Sequence, residues 1–254
     1  MILAVDVGNT HISIGAFRDE ELCYVSRISS DSRKTEDEYA SIIQGALALH
    51  GVKPSEVEGA IISSVVPTLN EVMKKALSLL FQVDALLVAP GIKTGINIRC
   101  DNPSSVGSDI ICACVAAHYI YGSPSLVLDM GTATKMMVVD ARGSFIGVSI
   151  MPGVMMGLQA LASGTAQLPQ VSLDAPPSVI GKNTADCMKS GAVYGNASMI
   201  DGMIDRFCEA YKAELPVYAT GGLSTPIVKY CKHRITEDPH MVLKGLQIIY
   251  KNNI

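Results

Sequence analysis

The chain has 254 residues, 48% hydrophobic and 17% charged, with a formal net charge of −4. That length supports one large domain or two ordinary ones with cores of their own, and the apolar content excludes a disordered chain. The acidic balance, with no block of basic residues, argues against general nucleic-acid binding. No apolar run reaches the ~18–20 residues that cross a bilayer, and a start that meets the Asp6 carboxylate at once is no secretory leader, so the expected setting is cytoplasmic with no membrane partner.

Residues 3–15 read as strand, tight turn, strand: Leu3-Ala4-Val5-Asp6-Val7, then Gly8-Asn9-Thr10, then a second apolar run through Ile12 and Ile14. Residues 36–50 form an amphipathic helix, with Tyr39, Ile42, Ile43, Ala46 and Leu47 at helical spacing. The β-branched run 59–66 predicts a buried strand stopped by Pro67, followed by a helix over 68–81 and a short strand over 85–88. Residues 109–121 predict a third helix, ended by Gly122 and Pro124. Residues 126–140 then repeat the opening pattern: an apolar run ending in Asp129, one apolar residue, Gly131, small hydroxyl residues Thr132 and Thr134, and a returning strand. Segments 157–162 and 186–212 read as mainly helical, 215–219 as a strand, Gly221-Gly222 as a turn and 223–231 as a helix. Strands alternating with helices predict an α/β fold with mixed sheets flanked by helices. A hairpin recurring at half-length predicts a duplication, with domains over 1–122 and 123–254.

The hairpin turns carry the chemistry. A glycine-led turn lets backbone N–H groups approach a phosphate, and the hydroxyls of Thr10, Thr132 and Thr134 add donors. Asp6 and Asp129 suit a hydrated Mg²⁺ carried by a nucleotide. A third element, strand then Gly221-Gly222 then helix, offers bare backbone to a flat nucleoside. Asp109, after Val106-Gly107-Ser108 at the head of an apolar helix, is either a helix cap or a general base for an attacking hydroxyl. The seven cysteines are scattered, without a CxxC pair, and read as structural thiols. Methionines 130, 136, 137, 151, 155 and 156 read as core or interface filling.

These segments, in order and spacing, resemble the type III pantothenate kinases over nearly the whole chain. The matching segments include Asp6 to Thr10, Ser63 to Pro67, Asp101-Asn102-Pro103, Val106 to Asp109, Asp129 to Thr134, Pro152-Gly153, Gly181 to Thr184, Ala219 to Gly222 and Lys244-Gly245-Leu246. The resemblance implies duplicated ribonuclease-H-like (actin-type ATPase) domains, a homodimer, and phosphorylation of pantothenate from ATP with Mg²⁺ and a monovalent cation, K⁺ or NH₄⁺. It implies that Asp6, Val7, Gly8, Asn9, Thr10, His11, Ile12 and Ser13 hold ATP phosphates and metal, that Thr132 contacts ATP, and that Asp129 ligates the monovalent cation. Asp109 matches the catalytic base, and Thr184 matches a substrate contact reaching across the dimer. Cys100, Gly107, Ser108 and Ile110 fall at substrate positions. Four positions depart from the family pattern: Ile110 stands where Arg is usual, Cys100 where Tyr is usual, Val148 where a second Gly is usual, and Lys135 follows the second phosphate turn. Two other readings remain beside a working pantothenate kinase: a kinase with a shifted acceptor, and a silent regulatory relative.

Overall fold

The computed structural model describes residues 1–254 as two compact units, one of Met1–Tyr121 with Met241–Ile254 and the other of Gly122–His240. The first unit opens with three antiparallel strands, β1 (Ile2–Val7), β2 (His11–Arg18) and β3 (Glu21–Ser29). α1 (Glu36–Leu49) follows, started by a capping box in which Thr35 N–H donates to Glu38 Oε2 at 2.8 Å and Glu38 N–H donates to Thr35 Oγ1 at 3.4 Å. β4 (Gly59–Ser64) then lies parallel to β1, α2 (Asn70–Phe81) returns, and β5 (Leu86–Leu87) lies parallel to β4. α3 (Ser108–Ala116) runs on into a single wide π turn, Ala117–Tyr121.

The second unit repeats this plan. β6 (Ser125–Met130), β7 (Ala133–Val139) and β8 (Phe145–Pro152) are antiparallel neighbours. α4 (Val154–Gly164), α5 (Thr184–Ser190) and α6 (Asn196–Tyr211) follow, with a π turn at Gly191–Gly195 between the last two. β9 (Val217–Thr220) lies parallel to β6, α7 (Thr225–Val228) is one turn long, and β10 (Ile235–Glu237) lies parallel to β9. The sheet orders are β3-β2-β1-β4-β5 and β8-β7-β6-β9-β10, so strand for strand the halves match in order and direction. The duplication expected from one repeated hairpin is therefore a duplication of whole sheets.

The expected second domain ran through residue 254, but its last segment belongs to the first unit. The reason is packing. α8 (Met241–Lys251) presents Met241, Leu243, Leu246 and Ile249, all buried, and the last three join Ala4, Phe17, Ile61, Ile111, Cys112 and Val115 in one core on sheet 1. Gly245 lies so close to the Cys112 carbonyl oxygen that a methyl group there would overlap it, which sets α8 backbone against α3 backbone. Tethers at the helix end hold the contact: Gln247 Nε2 donates to the Asp19 carbonyl at 2.9 Å, and Lys251 pairs with Glu20 at 2.8 Å.

The other face of sheet 1 is covered by α1 and α2, with Tyr39, Ile43, Leu47, Met73 and Leu77 against Leu3, Val5 and Ile14. In the second unit, Leu126, Leu128, Met130 and Met136 meet Leu158, Val193, Ile200 and Ile204. The methionines divide: Met130, Met136 and Met137 are buried core, Met151 and Met155 are partly buried against it, and Met156 is exposed. Of the cysteines, Cys112 and Cys114 are buried while Cys23 and Cys187 are exposed. No helix is long and apolar enough to cross a membrane.

Candidate active site

In the first unit the chemistry gathers at the carboxyl ends of β1 and β4, where ligands of open α/β sheets bind. Asp6 is the penultimate residue of β1, paired in register with Ser13 of β2 on one side and Ser63 of β4 on the other. Beyond it, the Gly8 N–H donates to the His11 carbonyl at 3.0 Å and closes the turn. The amide of Gly8 is thus spent within the turn, and glycine serves here by its size, with the His11 carbonyl only 3.0 Å from where a Cβ would stand. Asn9, Thr10 and His11 are exposed at the turn, whereas Val7 and Ile12 are fully buried in the core. Of the run expected to hold phosphate, Val7 and Ile12 therefore contribute backbone at most; strand alternation sends their side chains inward. His11 shares a 3.0 Å contact with Arg27 of β3, and its pKa lies below the ordinary value because of partial burial first and the guanidinium second.

Asp109 reaches the same strand ends by way of Ser108. The Ser108 hydroxyl lies 3.0 Å from Ser63 Oγ, accepts from Ser64 N–H at 2.9 Å and donates to the Ser64 carbonyl at 3.1 Å. This pins the first turn of α3 to the end of β4, so Ser108, expected as a substrate contact, is buried and fully engaged in holding the helix. Asp109 is not the N-cap: that position is Gly107, without a side-chain cap bond, and Asp109 is the second helical residue, its Oδ1 accepting the Ile110 N–H at 2.8 Å. A Cβ at position 107 would stand 2.6 Å from Asp109 Oδ1, so glycine there keeps the carboxylate clear. The fully buried Cys112 thiol of α3 is held protonated well above the usual range by burial, then by Asp6, then by Asp109, with the Ser63 hydroxyl bonded to it. Ser63 is the in-register neighbour of Asp6 and touches the hydroxyl of Ser108, the residue before Asp109, so the two aspartates are tied to the same pair of strand ends. Ile110 is only 7% exposed, and Cys100 is half-buried.

The second unit builds a matching turn. Asp129 sits next to the end of β6, in register with Lys135 of β7 and Thr220 of β9. The Gly131 N–H donates to the Ala133 carbonyl at 3.1 Å. Thr132 is exposed at the tip, but Thr134, expected as a phosphate donor, is fully buried with no partner for its hydroxyl. Gly221 has φ +92°, and a Cβ there would stand 2.5 Å from the Met130 carbonyl and 2.7 Å from Asp129 Oδ1, so only glycine lets the two turns meet. The Leu223 N–H donates to that same Met130 carbonyl at 3.1 Å. Gly222 is exposed beside it. Gly153 likewise abuts the Thr132 carbonyl. Thr184 is exposed at the first position of α5, whose cap is Asn183 accepting the Asp186 N–H at 2.9 Å.

Two ions were expected. The chain offers no cluster of three or more His, Cys, Asp or Glu residues for a metal; a nucleotide-borne Mg²⁺ needs only one or two protein carboxylates, and Asp6 beside the first turn fits that donor set. A monovalent cation on Asp129 does not fit, because Lys135 Nζ stands 2.6 Å from Asp129 Oδ2.

Sequence reading missed Ser63 and Gly153 as shapers of the site. The signal for Ser63 was present, since Ser63-Ser64 is the only polar ending among the apolar parallel strands of the first unit.

A family model described as type III pantothenate kinase matches residues 2–206. A type III pantothenate kinase from Bacillus cytotoxicus is 39% identical over 253 residues, covering 100% of this chain and 97% of its own. Another from Halalkalibacterium halodurans is 39% identical over 254 residues, covering 100% of both. Among solved structures, a ROK hexokinase from Thermus thermophilus superposes with a TM-score of 0.54 at 12% identity, over 98% of this chain and 97% of that one, and so shares the fold.

Proposed function

The chain belongs to the type III pantothenate kinase family, and on that premise we propose which of its residues perform phosphoryl transfer from ATP to pantothenate. The observation that carries the proposal is the pinned first turn of α3: Ser108, next to Asp109, is bonded to Ser63 and Ser64 at the end of β4, and Ser63 is in register with Asp6. Asp109 accepts the proton of the pantothenate hydroxyl as its oxygen bonds to the γ-phosphorus. The bond between that phosphorus and the bridging oxygen breaks, and ADP leaves with the electron pair. Phosphoryl transfer asks little covalent chemistry of the protein and much positioning. In the first unit the exposed Asn9, Thr10 and His11 and the half-buried Ser13 serve nucleotide phosphates. Within the second unit, the exposed Thr132 and Gly222 and the half-buried Gly221 are by themselves suited to a nucleotide. Mg²⁺, when bound, neutralises phosphate charge, and Asp6 is the residue to hold it. No step is routed through a monovalent cation.

Gly107 leaves room beside the base, and Cys100 and Ile110 occupy the positions of the family's substrate contacts. Thr184, exposed at the head of α5, is the contact offered across a homodimer. Exposed Ile146, Ile150, Met156 and Leu161 on β8 and α4 are apolar side chains that such an assembly would cover. The reaction belongs to the cytoplasm, where ATP is at hand.

Purified protein with ATP, Mg²⁺ and pantothenate should yield the phosphorylated acid by mass spectrometry. Asp109→Asn should keep nucleotide affinity while kcat falls ~10²–10⁴-fold. Near-normal kcat in the variant would remove the base assignment, and no product from the wild type under any salt would remove the kinase reading.

A further inference from the structure

The two hairpins share their topology but not their charge. In each, the strand-end aspartate faces one residue on the returning strand: Asp6 faces Ser13, and Asp129 faces Lys135. The Lys135 ammonium lies 2.6 Å from Asp129 Oδ2, and the two side chains keep only 13% and 12% of their surface. The remaining oxygen, Oδ1, borders both glycine turns, lying 3.7 Å from a Cβ placed at Gly131 and 2.7 Å from one at Gly221. One carboxylate oxygen thus addresses the turns offered to the nucleotide, and the other is held by a fixed cation.

A lysine ammonium carries one positive charge and donates to several oxygens, which is what K⁺ or NH₄⁺ supplies to a carboxylate beside a phosphate. It is tethered, so no ion need be captured from solution. A second cation on the same oxygen would meet like charge at close range in a site largely shielded from water.

We infer that Lys135 is a built-in cation for the second phosphate turn, taking beside Asp129 the place of a diffusible monovalent ion, so that this chain binds nucleotide and turns over without K⁺ or NH₄⁺. The turnover part rests on the kinase reading above; the binding part does not.

The test uses the full-length protein in buffer whose only monovalent cation is tetramethylammonium, too bulky to replace potassium, at constant ionic strength. Calorimetry with Mg²⁺ and a non-hydrolysable ATP analogue, thermal unfolding, and product formation are each followed with and without KCl or NH₄Cl. Wild type and Lys135→Arg should change by less than about twofold in affinity, while Lys135→Ala should lose about tenfold, ~1.4 kcal/mol, and recover most of it when K⁺ is added. Lys135→Ala should also gain a K⁺-dependent rise in Tm that the wild type lacks. A wild type that needs K⁺ to bind nucleotide or to turn over overturns the inference, as does a folded Lys135→Ala indifferent to K⁺. If Lys135→Ala fails to fold, the wild type and Lys135→Arg decide alone, since K⁺ sensitivity in either contradicts a built-in cation. Absence of product under every cation, with the binding results as expected, would sink the kinase reading and leave this one standing.

Discussion

Asp109 shows how far a single residue could be read before the fold was known. An aspartate at the head of an apolar helix is a cap in most sequences, and nothing local separates a cap from a base. The structure gives the cap position to Gly107 and anchors the helix through Ser108 to the strand end next to Asp6, while Asp109 accepts its neighbour's amide. Ile110 is the reverse case. Its position invites an arginine for the substrate carboxylate, yet the side chain is 7% exposed, on a helix buried almost all round. Ile110→Arg should therefore lower stability by about 2–4 kcal/mol, since a buried charge without a matched partner costs several kcal/mol. Urea unfolding measures this directly. An unchanged midpoint together with a lower KM for pantothenate would mean that the arginine reaches the substrate instead.

At the level of elements, the long apolar segments were legible and the half-covered or short ones were not. β3 alternates apolar Leu22, Tyr24 and Ile28 with charged and polar residues and is only partly buried, so its composition resembles a loop. β10 has three residues, too few for a period to show. α8 carries a clear apolar face, but Gly245 at its centre weakens the helical signal, and glycine there is explained only by the Cys112 carbonyl against which it packs. That contact gives a sign test. In a free helix Gly→Ala gains ~1 kcal/mol, whereas overpacking a tight contact costs ~1–3 kcal/mol. Gly245→Ala should be destabilising on balance, by about 1 kcal/mol or more, with a lower urea midpoint and an unchanged slope. A stabilised variant would show that α8 and α3 can move apart freely.

On the scale of the whole molecule, the duplicated sheets are complete within their halves but the helices are not, because α8 leaves the second half to finish the core of the first. A fragment of residues 1–122 lacks Leu243, Leu246 and Ile249 from that core and should remain unfolded by near-ultraviolet circular dichroism and amide dispersion. A cooperatively folded fragment would show that α8 is dispensable. The repeated Asp-x-Gly hairpins, the alternation of strands with helices and the order of motifs were all fixed locally, by residues a few positions apart, and sequence alone determined the α/β class, the duplication and the family. Which carboxylate is set at the strand ends, which serine pins a helix, and what borders Asp129 depend on pairs such as Ser64 with Ser108 or Asp129 with Gly221, far apart along the chain. Those meet only when strands take their register, and a one-residue slip would send every such side chain to the opposite face.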